Sequence, residues 1–290
     1  MNVKAISTKY KKIVLYFCVL TVFTGCSSER SGNADITIDG FAGLAPLMEK
    51  WAEEFHAISE EVFFDVHLNG HENGFANLMS GTANMFVSNL NLTHAELGLV
   101  KSRGKIITKK IIAKDGVVII VKGNSMVEFL RPEQIKSVFS GEITSWEDIS
   151  GFDRPITVFY NKEDMSRNYF FCKRLLNGEE ITGTAVGLDN DQEVIKAVST
   201  TNDAIGISGL VAGLQAMSKV KPISIVDVEE NKLVPPTLPY IQYNLYPLSR
   251  SVYMYYCGEL TGAESSFIKY CLSKEGQKQV LNCGVLPAGA

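Results

Sequence analysis

Patterns typical of strands and helices alternate from residue 35 onward. Residues 35–39 alternate as a strand does, and apolar residues recur at helical spacing through 44–55. A strand at 62–68, a short helix and a third strand at 84–88 follow. Strands that alternate with helices in this way form a largely parallel sheet with helices on both faces. The chain is therefore predicted to have an α/β fold.

The alternation continues through the middle of the chain. Val117–Val121 is a continuous β-branched run, as expected for a strand buried on both faces. Two more strands and three more helices are predicted, at 156–159, 204–207, 132–139, 167–176 and 193–199. The stretch 234–239 is rich in proline, which disrupts regular elements, and it is predicted to be a loop.

The C-terminal sixth of the chain carries its most specific motifs. Residues 246–250 read YPLSR, Phe267-Ile268 follow an aromatic strand, and 272–277 read LSKEGQ. Together with GEITSW at 141–146, this succession resembles the phosphate-binding, type II periplasmic solute-binding proteins. The resemblance spans nearly all of 36–287.

That resemblance implies a two-lobe fold in which each lobe is a mixed sheet flanked by helices. Lobe 1 would comprise residues 35–113 and 243–290, and lobe 2 residues 114–242, so the chain would cross between the lobes twice. The ligand would lie in the cleft between the lobes, at loops that follow the carboxyl ends of strands.

The first 34 residues read as a targeting segment. Four lysines precede an apolar run at 13–23, and Thr24-Gly25-Cys26 follows where a cleavage site belongs. This order resembles a bacterial lipobox, which predicts a signal peptide at 1–25, a lipidated Cys26 and a flexible tether at 26–34. An ordinary signal peptide and an uncleaved anchor are the alternatives. The protein is expected in the cell envelope, facing the periplasm or the cell surface.

Charge and cysteine content narrow the classes of function. The formal net charge is −4, and removing residues 1–25 with their four lysines makes it −8. An acidic chain without a basic run lacks the electrostatic footprint of a nucleic-acid-binding protein. Four cysteines follow Cys26 and allow three disulfide pairings, with buried free thiols as the favoured alternative. They are Cys172, Cys257, Cys271 and Cys283.

The resemblance also places the ligand-contacting loops. A phosphate site needs backbone N–H groups at helix N-termini, hydroxyl groups and a fork-shaped Arg. The residues of this chain at the corresponding positions are Gly43, Leu44, His71, Asn73, Ser88, Asn89, Lys162, Ser166 and Arg167.

Several of these loops depart from the family pattern. The stretch 40–47 reads GFAGLAPL and lacks the hydroxyls of the family's GSTTxxPL, His71 stands at a serine position, and Asn89 replaces a charged residue. The loop 160–167 lacks the family's Gly-Ser-Gly-Thr turn. Because each lost charge-assisted hydrogen bond is worth about 1.5–3 kcal/mol, inorganic phosphate is expected to bind weakly or not at all.

Catalysis and metal binding are the weaker interpretations. His67 and His71 lie four residues apart beside Glu72, but His67 sits in a predicted strand and an Asn-Gly turn lies between the two, so their rings need not converge. The sequence has no GxSxG, HExxH or P-loop motif. A binding protein without cofactor or metal is therefore expected.

Three hypotheses of function remain open. The leading one is a membrane-tethered, monomeric lipoprotein that captures phosphate or another small anion and delivers it to ABC permease subunits. The second is a divergent binding protein for another polar ligand, and the third is a ligand-free interaction or sensory partner.

Overall fold

Two long strands run through the centre of a mixed sheet and connect two hydrophobic cores. The computed structural model describes residues 34–289. The predicted signal peptide, Cys26 and the tether up to Asn33 lie outside these residues. None of the helices described between residues 34 and 289 is long and apolar enough to cross a bilayer.

The observed elements follow the predicted alternation. The strands are β1 Ile36–Gly40, β2 Phe64–His67, β3 Met85–Ser88, β4 Ile107–Lys122, β5 Phe129–Leu130, β6 Thr157–Asn161, β7 Val186–Leu188, β8 Ala204–Gly209, β9 Val220–Pro222, β10 Ser224–Asp227, β11 Lys232–Val234, β12 Ser249–Cys257 and β13 Leu286–Pro287. A 3₁₀ turn at Ala42–Leu44 precedes the first helix. The helices are α1 Ala45–Ile58, α2 His71–Ser80, α3 His94–Ser102, α4 Pro132–Ser140, α5 Glu147–Ser150, α6 Met165–Leu175, α7 Asp191–Thr200, α8 Leu210–Gln215, α9 Leu238–Gln242, α10 Gly262–Cys271 and α11 Lys274–Asn282.

The proline-rich stretch differs from its prediction at both ends. Val234 ends strand β11, and Leu238 and Pro239 begin the short helix α9. Proline is tolerated in the first turn of a helix because the N–H that it lacks would have no intrahelical partner there. Only residues 235–237 form the loop.

The sheet is ordered β2-β1-β3-β12-β4-β8-β6-β7. Strand β1 pairs in parallel with β2 and β3, whereas β12 lies antiparallel between β3 and β4. Strand β4 continues past β12 to pair with β8, which pairs in parallel with β6. The 16-residue strand β4 is thus shared by both halves of the sheet.

Two hydrophobic cores lie on either side of the midpoint of β4. The first core contains Trp51 and takes Ile112 and Ala113 from β4. The second core contains Trp146 and takes Val117–Val121 from the same strand. The residues between, 114–116, belong to neither core, so the chain passes from one core to the other there.

The crossover is polar on both faces of the sheet. Arg250 and Ser251 of β12 stand opposite Asp115 and Lys114 of β4. Because neighbouring residues of a strand point to opposite faces, the Asp115–Arg250 pair and the Lys114–Ser251 pair lie on different sides. Lys114 Nζ donates to Ser251 Oγ at 2.8 Å and to Asn244 Oδ1 at 2.9 Å. Burial lowers the pKa of Lys114.

Gly116 permits the close approach of the two crossover segments, residues 114–116 of β4 and residues 248–251 at the start of β12. Its φ is +153°, in the region that favours glycine, and a Cβ at this position would lie 2.1 Å from the carbonyl oxygen of Leu248. The amide of Val117 donates to that same carbonyl at 3.0 Å. The contact between Gly116 and Leu248, at the edge of the second core, therefore leaves no room for a side chain larger than that of glycine.

The LSKEGQ motif fastens the last helix to the first core. Ser273 caps α11 by accepting from the amide of Gly276. The indole of Trp51 donates to the carbonyl of Gly276 at 2.8 Å, and Gln277 Nε2 donates to the carbonyl of Ile112 on β4 at 3.0 Å. The motif thus acts in packing.

Candidate functional site

A cleft of about 350 Å³ opens where the two cores meet the crossover. The first core contributes the turn after β1 and the segment after α11, and the second core contributes the loop between β6 and α6. Its lining residues are Phe41, Gly43, Leu44, Asp115, Asn161, Glu163, Asp164, Ser166, Arg167, Arg250, Cys283 and Val285.

Asp115 lies at the base of this cleft between two arginines. Its Oδ1 accepts from Arg167 Nε at 3.0 Å, and its Oδ2 accepts from Nε and Nη2 of Arg250 at 3.0 and 2.7 Å. The Asp115 side chain is 8% exposed, and those of Arg250 and Arg167 are 10% and 18% exposed. Burial acts to raise the pKa of Asp115, but the charges of Arg167 and Arg250 outweigh it and hold the pKa below its usual value.

Arg167 joins the two cores across the cleft. It lies in the first turn of α6, where Asp164 caps the helix by accepting from the Arg167 amide at 3.0 Å. Its Nη1 donates to Asp164 Oδ2 at 2.7 Å, and its Nη2 donates to the carbonyl of Gly284 at 3.2 Å. Gly284 belongs to the segment that follows α11. Arg167 thus holds the C-terminal segment against the second core.

Asp191 is a third carboxylate near Arg167. Its Oδ2 lies 3.7 Å from Arg167 Nη1 and accepts from the amide of Gly209 at 3.2 Å. A Cβ on Gly209 would lie 2.7 Å from that oxygen and 2.8 Å from Arg167 Nη1, so glycine is needed for this approach. Burial raises the pKa of Asp191 despite the opposing charge of Arg167.

Arg250 presents the cluster to the cleft. Its Nη2 donates to Ser166 Oγ at 3.2 Å, and the correctly oriented amide of Asn89 accepts from its Nη1 and Nη2 at 3.3 and 3.2 Å. Its guanidinium also lies 4.6 Å from the ring centroid of Phe170. The Ser166 hydroxyl accepts from Arg250, and no acceptor for its own hydrogen is found among residues 34–289. The Ser166 hydroxyl and one remaining Nη1 hydrogen of Arg250 are therefore left as donors for an anion.

The matching family model covers residues 27–275 and is described as a PBP superfamily domain. The chain belongs to the PBP superfamily. The family predicted from the C-terminal motifs is thereby confirmed.

Relatives and solved structures agree with this membership. The chain is 26% identical over 263 residues to the phosphate-binding protein PstS of Staphylococcus aureus, a match that covers 87% of this chain and 80% of that protein. It resembles a possible phosphate-binding protein from Planctomyces limnophilus with a TM-score of 0.73 and 23% identity, covering 87% and 92% of the two chains. An ABC-type phosphate transport receptor from Vibrio cholerae matches with a TM-score of 0.67 and 22% identity, covering 87% and 99%. These structures confirm the predicted two-lobe type II fold.

Four predicted site residues line the cleft: Gly43, Leu44, Ser166 and Arg167. Asn89 lies next to it through Arg250. Asn73 is elsewhere and donates to the carbonyl of Asn69. Lys162 is also outside the lining and pairs with Asp189 at 2.8 Å on the surface.

His71 and Ser88 form a separate hydrogen-bonded chain beside a third, smaller apolar cluster that contains Phe86. Ser88 is fully buried, and its Oγ lies 2.7 Å from His71 Nδ1. His71 Nε2 lies 3.0 Å from Glu96 Oε1. Burial acts to raise the pKa of Glu96, but hydrogen bonds from Thr93 and the nearby His71 lower it, so Glu96 is an ionised acceptor. His71 therefore fastens α2 to α3 and does not line the cleft.

The histidines do not converge on a metal. His67 Nε2 pairs with Asp65 Oδ1 at 2.6 Å, whereas His71 is held by Ser88 and Glu96. In the part of the chain that the structure describes, no three His, Cys, Asp or Glu side chains are grouped as a metal site requires. All four cysteines of that part are free thiols.

Sequence reasoning missed Asp115 and Arg250, which organise the cleft. Asp115 had a detectable signal because Lys114-Asp115 interrupts the apolar run from Ile111 to Val121. Arg250 belongs to the YPLSR motif, whose Tyr246 and Leu248 are buried in the second core. The motif combines packing residues with one site residue. Because the motif served only to identify the fold, Arg250 was not predicted as a site residue.

Proposed function

We propose that this chain is the solute-binding component of an ABC importer and captures an oxyanion of the phosphate class in the cleft. The observation that carries the proposal is the Asp115–Arg167–Arg250 cluster, which holds two guanidiniums in the cleft between the two cores, where a two-lobe α/β protein binds its ligand. The printed names of the relatives, which include phosphate-binding proteins, support it.

The expected mechanism is closure of the two cores around the ligand. The predicted lobe 1 would move against lobe 2, with Tyr246 and Leu248 staying with lobe 2 because they are buried in the second core. The chain would bend at the crossover near Gly116. Arg167 already contacts Gly284 on the opposite side of the cleft. Permease subunits would carry out transport, and a lipidated Cys26 would hold a monomeric protein at the membrane. A binding role without catalysis follows from this proposal.

The test is calorimetric titration of residues 27–290 after partial unfolding has removed any bound ligand. Inorganic phosphate, sulfate and phenylphosphonate serve as probes. Arg250→Gln is expected to weaken binding about 10- to 100-fold because a charge-assisted hydrogen bond is lost. Ser166→Ala, which is less disruptive to folding, should weaken it about fivefold. Inorganic phosphate is expected to bind weakly.

Lys162→Gln is the matched control, since it removes one positive charge from a surface ion pair outside the cleft. Its affinity should stay within about twofold of the original value. The proposal is wrong if none of the three anions binds, or if Lys162→Gln weakens binding as much as Arg250→Gln does.

Affinity for an anion should rise as the pH falls from 7 toward the raised pKa of Asp191. Protonation there removes one of three carboxylates around two guanidiniums, so the cluster changes from a net charge of −1 to neutral. Titrations with sulfate, whose charge is constant over this range, isolate the contribution of the protein. Asp191→Asn should strengthen sulfate binding and flatten its pH dependence. An unchanged pH profile in that variant would contradict this assignment.

A further inference from the structure

The two sides of the cleft differ in chemistry. The side formed by the second core and the crossover carries Arg167, Arg250 and Ser166. The side formed by the first core is apolar and carries Phe41, Leu44 and Val285, together with the thiol of Cys283. A small inorganic anion can use only the first of these sides.

The ring of Phe41 covers the backbone of the turn at Ala42–Leu44, whose N–H groups would otherwise be available to bind an anion. A Cβ on Gly43 would lie 2.6 Å from two ring carbons of Phe41, so the ring packs directly on the 3₁₀ turn before α1. Phe41 is partly buried against the first core, and its amide donates to the carbonyl of Val87 at 2.9 Å. The ring is therefore held in place and presents an aromatic surface to the cleft.

The size of the cleft also exceeds that of an inorganic ion. Its volume is about 350 Å³. A tetrahedral ion of five heavy atoms occupies roughly two to three times the share of a water molecule, which is about 30 Å³ in the liquid. Most of the cleft would stay unfilled, including the part beside Phe41 and Val285.

The charges of the cleft favour a ligand of low charge. Arg167 and Arg250 are paired with Asp115, and Asp164 and Asp191 lie against Arg167. Glu163 adds a further carboxylate to the lining. The net negative charge opposes any anion, and it opposes a dianion about twice as strongly as a monoanion. A monoanion with an apolar substituent gains affinity from burying apolar surface, which offsets this smaller repulsion.

We propose that the cleft selects an organic oxyanion of single negative charge: a head group such as sulfonate, phosphodiester or singly protonated phosphonate that carries an apolar substituent. This inference rests on the proposed capture of an oxyanion. The head group contacts Arg250, Ser166 and Arg167, and the substituent packs on Phe41, Leu44 and Val285. Phe41 is thus the residue that determines specificity.

Calorimetric titration with phenylphosphonate, methylphosphonate and inorganic phosphate at about pH 5, where all three are monoanions because their second pKa lies at about 6 or above, tests this inference. Phenylphosphonate is expected to bind about 10- to 100-fold more tightly than either small anion, because burial of one ring is worth roughly that factor. Benzenesulfonate and benzoate, titrated in parallel, establish which head group the guanidiniums prefer.

Two variants locate the contact. Phe41→Ala should weaken phenylphosphonate at least tenfold and leave methylphosphonate within about twofold. Val285→Thr keeps the side-chain shape but adds a hydroxyl to a buried position of the first core, so its folding is checked by circular dichroism. It should weaken phenylphosphonate alone, by a smaller factor. Phe152→Ala, which truncates an exposed ring outside this cleft, is the matched control and should change neither affinity.

The outcomes separate this inference from the proposed function. If inorganic phosphate binds as tightly as phenylphosphonate, or if Phe41→Ala weakens all anions equally, the organic ligand class is wrong and oxyanion capture stands. If no anion binds, both fall. Loss of the phenylphosphonate preference in Phe41→Ala and Val285→Thr, with methylphosphonate unchanged, supports the inference.

Discussion

Asp115→Ala is expected to lower the free energy of unfolding by about 3 to 5 kcal/mol, because it leaves two mostly buried guanidiniums without their shared partner. The loss should fall near the lower value, since both arginines keep some contact with solvent and Arg167 keeps Asp164. Urea denaturation followed by tryptophan fluorescence measures it. Trp51 and Trp146 report the first and second cores respectively.

Asp189→Ala is the control for this prediction. It removes a carboxylate from an exposed ion pair with Lys162 and should cost less than about 1 kcal/mol.

The contribution of Asp115 also depends on pH. Because its pKa is lowered in the folded protein, its stabilising effect is full above the ordinary value of 3.8 and is lost as the pH falls through the lowered pKa. Equal effects of the two substitutions would contradict the assigned role of Asp115.

Gly116→Ala is the second substitution with a large expected effect, a loss of about 3 kcal/mol in unfolding free energy. The alanine would have to adopt a φ of +153° and place its Cβ 2.1 Å from the carbonyl oxygen of Leu248. Relief of that clash would separate the crossover segments and disturb the register of Asp115 with Arg250. Anion affinity should therefore fall together with stability.

Gly98→Ala is the matched glycine substitution. Gly98 is exposed within α3, and no heavy atom lies within 4 Å of its added Cβ. Its replacement should stabilise the protein by up to about 1 kcal/mol, because alanine is the better helix former. If Gly116→Ala proved as well tolerated as Gly98→Ala, the crossover would be more adaptable than its geometry indicates.

The fold was predictable because its signals are local. Periodicity placed α1 and the part of β4 from Val117 to Val121, since a buried helix face and a strand buried on both sides leave clear apolar patterns. The YPLSR and LSKEGQ motifs added the family, and their residues pack against the cores. The lobe boundaries remain a prediction.

The site was less predictable because its contacts are set by tertiary register. Asp115 and Arg250 lie 135 positions apart and meet only because β12 pairs antiparallel with β4. Alignment to the family pattern placed His71 near the ligand, but its ring found Ser88 and Glu96 instead. Lys162 is likewise paired with Asp189. A residue's position in a loop does not determine which partner its side chain takes.

The position of β12 has a consequence for the order in which the protein can fold during synthesis or export. This strand lies between β3 and β4, yet it follows them by well over a hundred residues. Until Cys257 has emerged, β3 and β4 have no partner between them and present unpaired backbone groups. The strands β5 to β11 are already complete at Val234. The half of the sheet that contains β6 to β9 starts later along the chain, but its strands are expected to be complete first. A chaperone that binds incompletely folded chains would then act on the unpaired edges of β3 and β4.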